Sequence, residues 1–95
     1  MVKEITVPPG KQCSLHVHQR LHEHWIVVAG EGKAVVGEAT VALRTNTHVY
    51  LPPKLPHRVM NTGSRQLKYI EVVYRPSPAE ADLEKLDCTY DIPED

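Results

Sequence analysis

Between residues 3 and 74 the sequence is a succession of about eight short apolar or alternating runs, each closed by glycine, proline, asparagine or threonine. Residues 3–7 alternate and are halted by Pro8-Pro9-Gly10, as a strand entering a turn would be. Residues 14–18 alternate again, with Leu15 and Val17 on one face and His16 and His18 on the other. Residues 23–29 form a continuous apolar strand ending at Gly30-Glu31-Gly32, from which 33–36 is expected to pair back as a hairpin. Runs at 40–44, 49–51, 58–60 and 67–74 complete the series, divided by Thr45-Asn46, by Pro52-Pro53 with Pro56, and by Thr62-Gly63-Ser64. Strands this short and this many, with no helical crossover to build a parallel sheet, make an all-β antiparallel jelly-roll barrel. A chain of 95 residues has room for one core, so one domain is expected over 1–95, with the barrel at about 3–75 and an acidic tail at 76–95.

The tail differs in kind from the barrel. After Pro76 and Pro78, residues 79–86 combine good helix formers with acids in the first turn, which predicts one short C-terminal helix. The formal net charge of −1 hides a division: residues 1–79 hold 10 Lys/Arg against 5 Asp/Glu, and residues 80–95 hold 7 Asp/Glu against Lys85 alone. The basic residues are scattered rather than gathered on a stripe, so nucleic acid is not an expected partner. No run of eighteen apolar residues and no leader-like N-terminal pattern occurs, so neither a membrane partner nor secretion is expected, and the expected location is cytoplasmic. Cys13 and Cys88 stand 75 positions apart with no second pair and are read as free thiols.

Chemistry concentrates in the histidines. Four of the six, His16, His18, His22 and His24, fall within nine residues. His16 and His18 share a strand face and can supply two neighbouring ligands to a metal ion. Glu23 opens the next strand, close enough for a hairpin to bring its carboxylate beside them, and His57 begins a later strand behind a proline-stiffened turn. Three imidazoles and a carboxylate suit one divalent transition metal, Zn, Mn, Fe, Co or Ni, with positions left for water or substrate. His24 shares its face with Ile26 and Val28, opposite Glu23, Trp25 and Val27, and is expected to pack or hydrogen-bond rather than ligate. His22 is expected to be exposed. Trp25, on the ligand face, is expected to pack in the core, with the lining of a sugar pocket as the sharper alternative.

The spacing of these residues resembles the cupin superfamily. From Gly10 the chain runs five residues to His16-Val17-His18, four to Glu23 and six to Gly30, which is similar to the first cupin motif at every defined position. Pro52, His57 and Asn61 match the second motif, from which Asn46 and Lys54 depart by replacing glycines. Asn is a reasonable stand-in for a left-handed glycine and Lys a less obvious one. The resemblance implies a double-stranded β-helix, a metal held by His16, His18, Glu23 and His57, and often a dimer.

A closer resemblance, over nearly the whole chain, is to the C-terminal cupin domain of type II mannose-6-phosphate isomerases, the phosphomannose isomerase/GDP-mannose pyrophosphorylase family. It is carried by Glu23-His24-Trp25-Ile26-Val27-Val28 before Gly30, by Tyr50-Leu51-Pro52 with His57-Arg58 and Asn61, by Tyr69-Ile70-Glu71-Val72, and by Glu80-Ala81-Asp82-Leu83 through Tyr90. His16 stands where that family has Gln, and Asp91-Ile92 replace its closing Gly-Arg, removing a bidentate phosphate contact. The family's nucleotidyltransferase region has no counterpart in these residues, so guanylyltransferase activity is not expected.

The resemblance implies a metal-dependent enzyme that interconverts an aldose and a ketose phosphate, with a phosphorylated sugar as small-molecule substrate. Glu71 or Lys54 would be the catalytic base, and Lys54 or Arg58 would hold the phosphate. Because neighbours on a strand face opposite ways, Arg58 should point away if His57 points in. The alternatives are a non-catalytic metal-dependent module that binds a sugar or small acid, and another cupin metalloenzyme, a dioxygenase, lyase or cyclase. A thin core with open sheet edges is expected to pair as a homodimer, by packing of sheets or by exchange of the N-terminal strand.

Overall fold

The computed structural model describes residues 1–75 and the backbone of Tyr90 and Asp91. These residues form nine strands and no helix: β1 (Val2–Val7), β2 (Gln12–Cys13), β3 (His22–Ala29), β4 (Gly32–Val36), β5 (Ala39–Leu43), β6 (His48–Leu51), β7 (His57–Met60), β8 (Leu67–Tyr74) and β9 (Tyr90–Asp91). They build one sheet in the order β1-β8-β3-β6 and a second in the order β5-β4-β7-β2-β9, and the paired strands run antiparallel. The predicted helix at 79–86 lies outside the described residues.

Period-2 alternation places the core between the sheets. In β3, Glu23, Trp25 and Val27 are buried while Ile26 and Val28 are exposed, and in β8, Leu67, Tyr69, Glu71 and Val73 are buried while the residues between them are not. Val7, Leu43, Leu51 and Val59 close the core from the other strands. Asn61, buried just after β7, ties this end of the barrel together. Its amide donates to the carbonyls of Val7 (2.8 Å) and Arg65 (2.7 Å), and its side-chain oxygen accepts from Gly63 N–H (2.9 Å).

Three expectations are corrected. Residues 30–32 do not close a hairpin: β3 and β4 belong to different sheets, and Gly30-Glu31-Gly32 carries the chain across the edge between them. Gly30 has φ +84°, a Cβ there would strike the Gln66 carbonyl, and one at Gly32 would strike the Met60 carbonyl. These glycines permit close packing at a corner rather than a two-residue reversal. The two-residue reversal is at Gly37-Glu38, where Val36 pairs with Ala39.

Residues 14–18 are not a regular strand. The chain pairs with β7 at Gln12–Met60 and again through an isolated bridge between His16 and His57, and is irregular between. The alternation still sorts the faces, with His18 buried, His16 half-buried, and Leu15 and Val17 exposed. Cys13, finally, is not a free thiol but is buried and disulfide-bonded. The other cysteine of the chain, Cys88, lies outside the described residues, and the acidic segment returns to the barrel two positions later, where Tyr90 pairs with Cys13 and Asp91 with Gln12.

Candidate metal centre

Three segments converge on one point between the sheets. His57 opens β7 behind the turn 52–56, and that turn is locked to the segment before β3 by the Lys54 N–H, which donates to the His18 carbonyl at 2.6 Å. His16 and His57 exchange two backbone hydrogen bonds of 2.9 Å, which sets the segment 16–18 in register with the start of β7. Glu23 reaches the same point from β3 in the facing sheet. The carboxylate is therefore supplied across the core rather than along a hairpin.

His57 Nε2 lies 3.0 Å and His18 Nε2 3.3 Å from the same oxygen, Glu23 Oε2. The three side chains are buried, and one ligand atom from each lies within 4.8 Å of the others. Neighbouring ligands on an ion with bonds of about 2.0–2.2 Å stand about 3 Å apart, so the spacing suits a metal. Two imidazoles and a carboxylate suit Zn, Fe, Mn, Co or Ni. His16 stands beside this trio, its ring centroid 5.9 Å from that of His18 and 6.2 Å from that of His57.

The protein has built a charged pocket around Glu23. Burial by itself would raise the Glu23 pKa, but hydrogen bonds from His57 and Glu71 and the electrostatic influence of His57 and His18 outweigh it and hold the carboxyl at about 2. Glu71, buried on β8 and bonded to Glu23, is pushed up to about 9, first by burial and then by the Glu23 hydrogen bond and charge. Near neutral pH the two carboxyls therefore carry one proton, and it resides on Glu71. Trp25, two residues after Glu23 on the same face, donates its indole N–H to Glu23 Oε1 at 3.4 Å and meets the His57 ring edge-on at 5.4 Å. A cavity of about 20 Å³ opens beside these groups, walled by His16, Trp25, His57, Arg58, Tyr69 and Glu71 among others.

The family model for the mannose-6-phosphate isomerase C-terminal domain matches residues 1–88. The chain belongs to this family. It is 39% identical to the xanthan biosynthesis protein XanB of Xanthomonas campestris pv. campestris over 89 residues, covering 94% of this chain and 19% of that protein. It is likewise 39% identical to the alginate biosynthesis protein AlgA of Pseudomonas aeruginosa over 89 residues, covering 94% of this chain and 18% of that one. The chain thus spans about a fifth of the length of these relatives. Among solved structures, a Cupin 2 conserved barrel domain protein from Salinispora arenicola superimposes with a TM-score of 0.72 at 28% identity, covering 79% of this chain and 62% of that one.

Within this isomerase-family domain the residues singled out from the sequence divide clearly. His18, Glu23 and His57 come together, His16 flanks them, and Glu71 and Trp25 face the same cavity. Trp25 is at once core and cavity wall. Arg58 is half-buried and contributes to that wall even though it alternates with buried His57 and Val59. Lys54 is exposed and is not part of the wall; its place in the fold is a backbone one, at φ +70°. Tyr69 was missed. It is buried against Trp25 at 5.3 Å between ring centroids and lines the cavity. Its position two residues before Glu71 on one strand puts both on one face, a signal present in the sequence.

Proposed function

We propose that this domain holds one divalent transition metal between His18, Glu23 and His57, with His16 as a fourth ligand, and that it interconverts an aldose and a ketose sugar phosphate. What supports the reading is the geometry: His18, Glu23 and His57 offer ligand atoms within 4.8 Å of one another, and buried Glu71, hydrogen-bonded to Glu23, lines the cavity beside them. The bound ion would supply a Lewis acid to two neighbouring sugar oxygens. The chain's own groups would do the rest. Trp25 N–H holds the Glu23 oxygen that does not face the histidines. Glu71, on the cavity wall, would act as the base only after giving up its own proton; once ionised it would take the proton from one sugar carbon and return it to the neighbouring one. Arg58 on the same wall suits the phosphate better than exposed Lys54.

The test is turnover in D₂O. Metal-replete protein given mannose 6-phosphate should yield fructose 6-phosphate, followed by NMR, with deuterium entering at the carbon that exchanges its proton, and Glu71→Gln should lower the rate by about 10²–10⁴-fold. Absence of both product and deuterium from the metal-replete protein overturns the isomerase reading.

A second reading is favoured by the size of the cavity. About 20 Å³ admits one water and not a sugar ring. A metal-dependent module that binds a sugar or small acid at the mouth of the site, without turning it over, would show ligand-dependent thermal stabilisation that requires the metal and no product.

A further inference from the structure

Strand β3 sends Glu23 into the core and its neighbour His24 out through the opposite face of the sheet. There His24 meets His48 of the edge strand β6. Ile26 pairs with His48 and His24 with Tyr50, so the two histidines are diagonal neighbours across the ladder. Their rings lie 5.2 Å apart between centroids, and His24 Nδ1 and His48 Nε2 approach to 3.1 Å.

We infer that His24 and His48 form a second, solvent-facing cation site for a late first-row divalent ion such as Ni²⁺, Cu²⁺ or Zn²⁺, separate from the His18–Glu23–His57 centre. Two imidazole nitrogens bound to one ion at about 2.0–2.1 Å, with an angle of about 90–110° between them, stand about 2.8–3.4 Å apart. The observed 3.1 Å lies inside that interval, so the pair can take an ion once the protons sit on His24 Nε2 and His48 Nδ1 and the rings turn to aim both free nitrogens at it. The same approach, with one proton between the nitrogens, is the hydrogen bond made when no ion is bound. The rings are also held in place before binding. His24 packs against Tyr50 at 5.0 Å and Tyr74 at 6.0 Å, and His22 stacks on Tyr74 at 4.8 Å while its Nδ1 engages the Tyr50 hydroxyl at 2.7 Å. An all-nitrogen pair favours Ni²⁺, Cu²⁺ and Zn²⁺ over Mg²⁺ and Ca²⁺, and the edge position of β6 leaves the remaining positions of the ion to water.

The test counts ions. The 95-residue protein, stripped with a chelator, is titrated with Ni²⁺ by calorimetry, and the bound ions are counted by native mass spectrometry. The wild type should take two ions, and His48→Ala and His24→Ala one each, at the affinity of the stronger wild-type site. His57→Ala should lose the inner ion and keep the outer one, so that failure of the inner centre is distinguished from failure of this site. A single ion in the wild type that His57→Ala removes and His48→Ala leaves overturns the inference, as does a second ion that survives both outer-face substitutions.

Discussion

Asn46 and Lys54 are the two residues other than glycine with positive φ among those described, at +75° and +70°, and they stand at the two places where the sequence departs from the second cupin motif. A departure in sequence has left the backbone requirement intact. Side chains with a Cβ pay about 1–2 kcal/mol for the left-handed region, least when the residue is Asn, and glycine returns about 0.5–1 kcal/mol of that through its freer unfolded state. Lys54→Gly should therefore stabilise the protein by up to about 1 kcal/mol, a gain of a few degrees in Tm, without weakening the metal site, because the Lys54 group that holds the His18 segment is its backbone N–H. A lowered Tm in a thermal scan would mean that the lysine side chain itself stabilises the turn. Glu71 carries the second prediction at this scale. Its folded pKa of about 9 lies above the ordinary 4.5, so the metal-free folded state binds more protons than the unfolded state between those values. Its contribution to stability is present below about pH 4.5 and is lost as pH rises to about 9, with a slope of at most about 1.4 kcal/mol per pH unit. Glu23 works in the opposite sense and lower down: its contribution is present above about pH 4.5 and is lost as pH falls toward 2. Glu71→Gln keeps a hydrogen-bond donor beside Glu23 and removes the upper dependence, so its Tm should exceed that of the metal-free wild type by an amount that grows from pH 5 to pH 9. Parallel curves would refute the assignment of the proton to Glu71.

At the scale of elements, what the sequence made legible is what period-2 alternation and turn chemistry encode. Strand β8 coincides with the apolar run at 67–74, and in β3 alternation sorts Glu23, Trp25 and Val27 from His24, Ile26 and Val28, with the expected ligand Glu23 marking the inward side. What was not legible depends on which sheet a strand joins. Glycines at 30 and 32 signal a sharp change of direction, but a hairpin and a crossing between sheets use the same residues, and only the partners Gln66 and Met60, distant in sequence, distinguish them. The convergence of His18, Glu23 and His57 was readable because each carries its own chemistry, whereas the route of Glu23, across the core from the facing sheet, was not. The disulfide at Cys13 was hidden for the same reason, since two cysteines far apart carry no spacing signal. Cys13 belongs to β2, a strand of two residues held otherwise by Gln12–Met60, by the short pairing with β9 and by the His16–His57 bridge. Cys13→Ser is expected to lower stability by about 2–5 kcal/mol, and a reducing agent should bring the wild type to the same denaturation midpoint. A midpoint unmoved by either would show that the bond contributes nothing to the fold.

At the scale of the molecule, the inner and outer faces of the four-stranded sheet carry different chemistry. The inner face holds the buried carboxyls of Glu23 and Glu71. The outer face carries an apolar strip that crosses three strands, from Val2 on β1 through Val72 and Ile70 on β8 to Ile26 on β3, because Val2 pairs with Val72 and Ile70 with Ile26. Val2 is 67% exposed, Val28 44% and Ile26 39%. Such a strip is what a second copy would cover, and it favours packing of sheets over exchange of the N-terminal strand, since β1 is already paired with β8 of its own chain over six consecutive positions. The histidine pair borders this strip, since His24 pairs with Val72 and His48 with Ile26. A homodimer with a dissociation constant in the micromolar range or below is the expected result of sedimentation equilibrium. Ile26→Lys, which sets a charge at the β3 end of the strip while its side chain stays on the face opposite Glu23, should give a monomer that still binds metal at the inner centre. A wild type that sediments as a monomer at micromolar concentration, or an Ile26→Lys variant that remains a dimer, would place the association elsewhere or remove it.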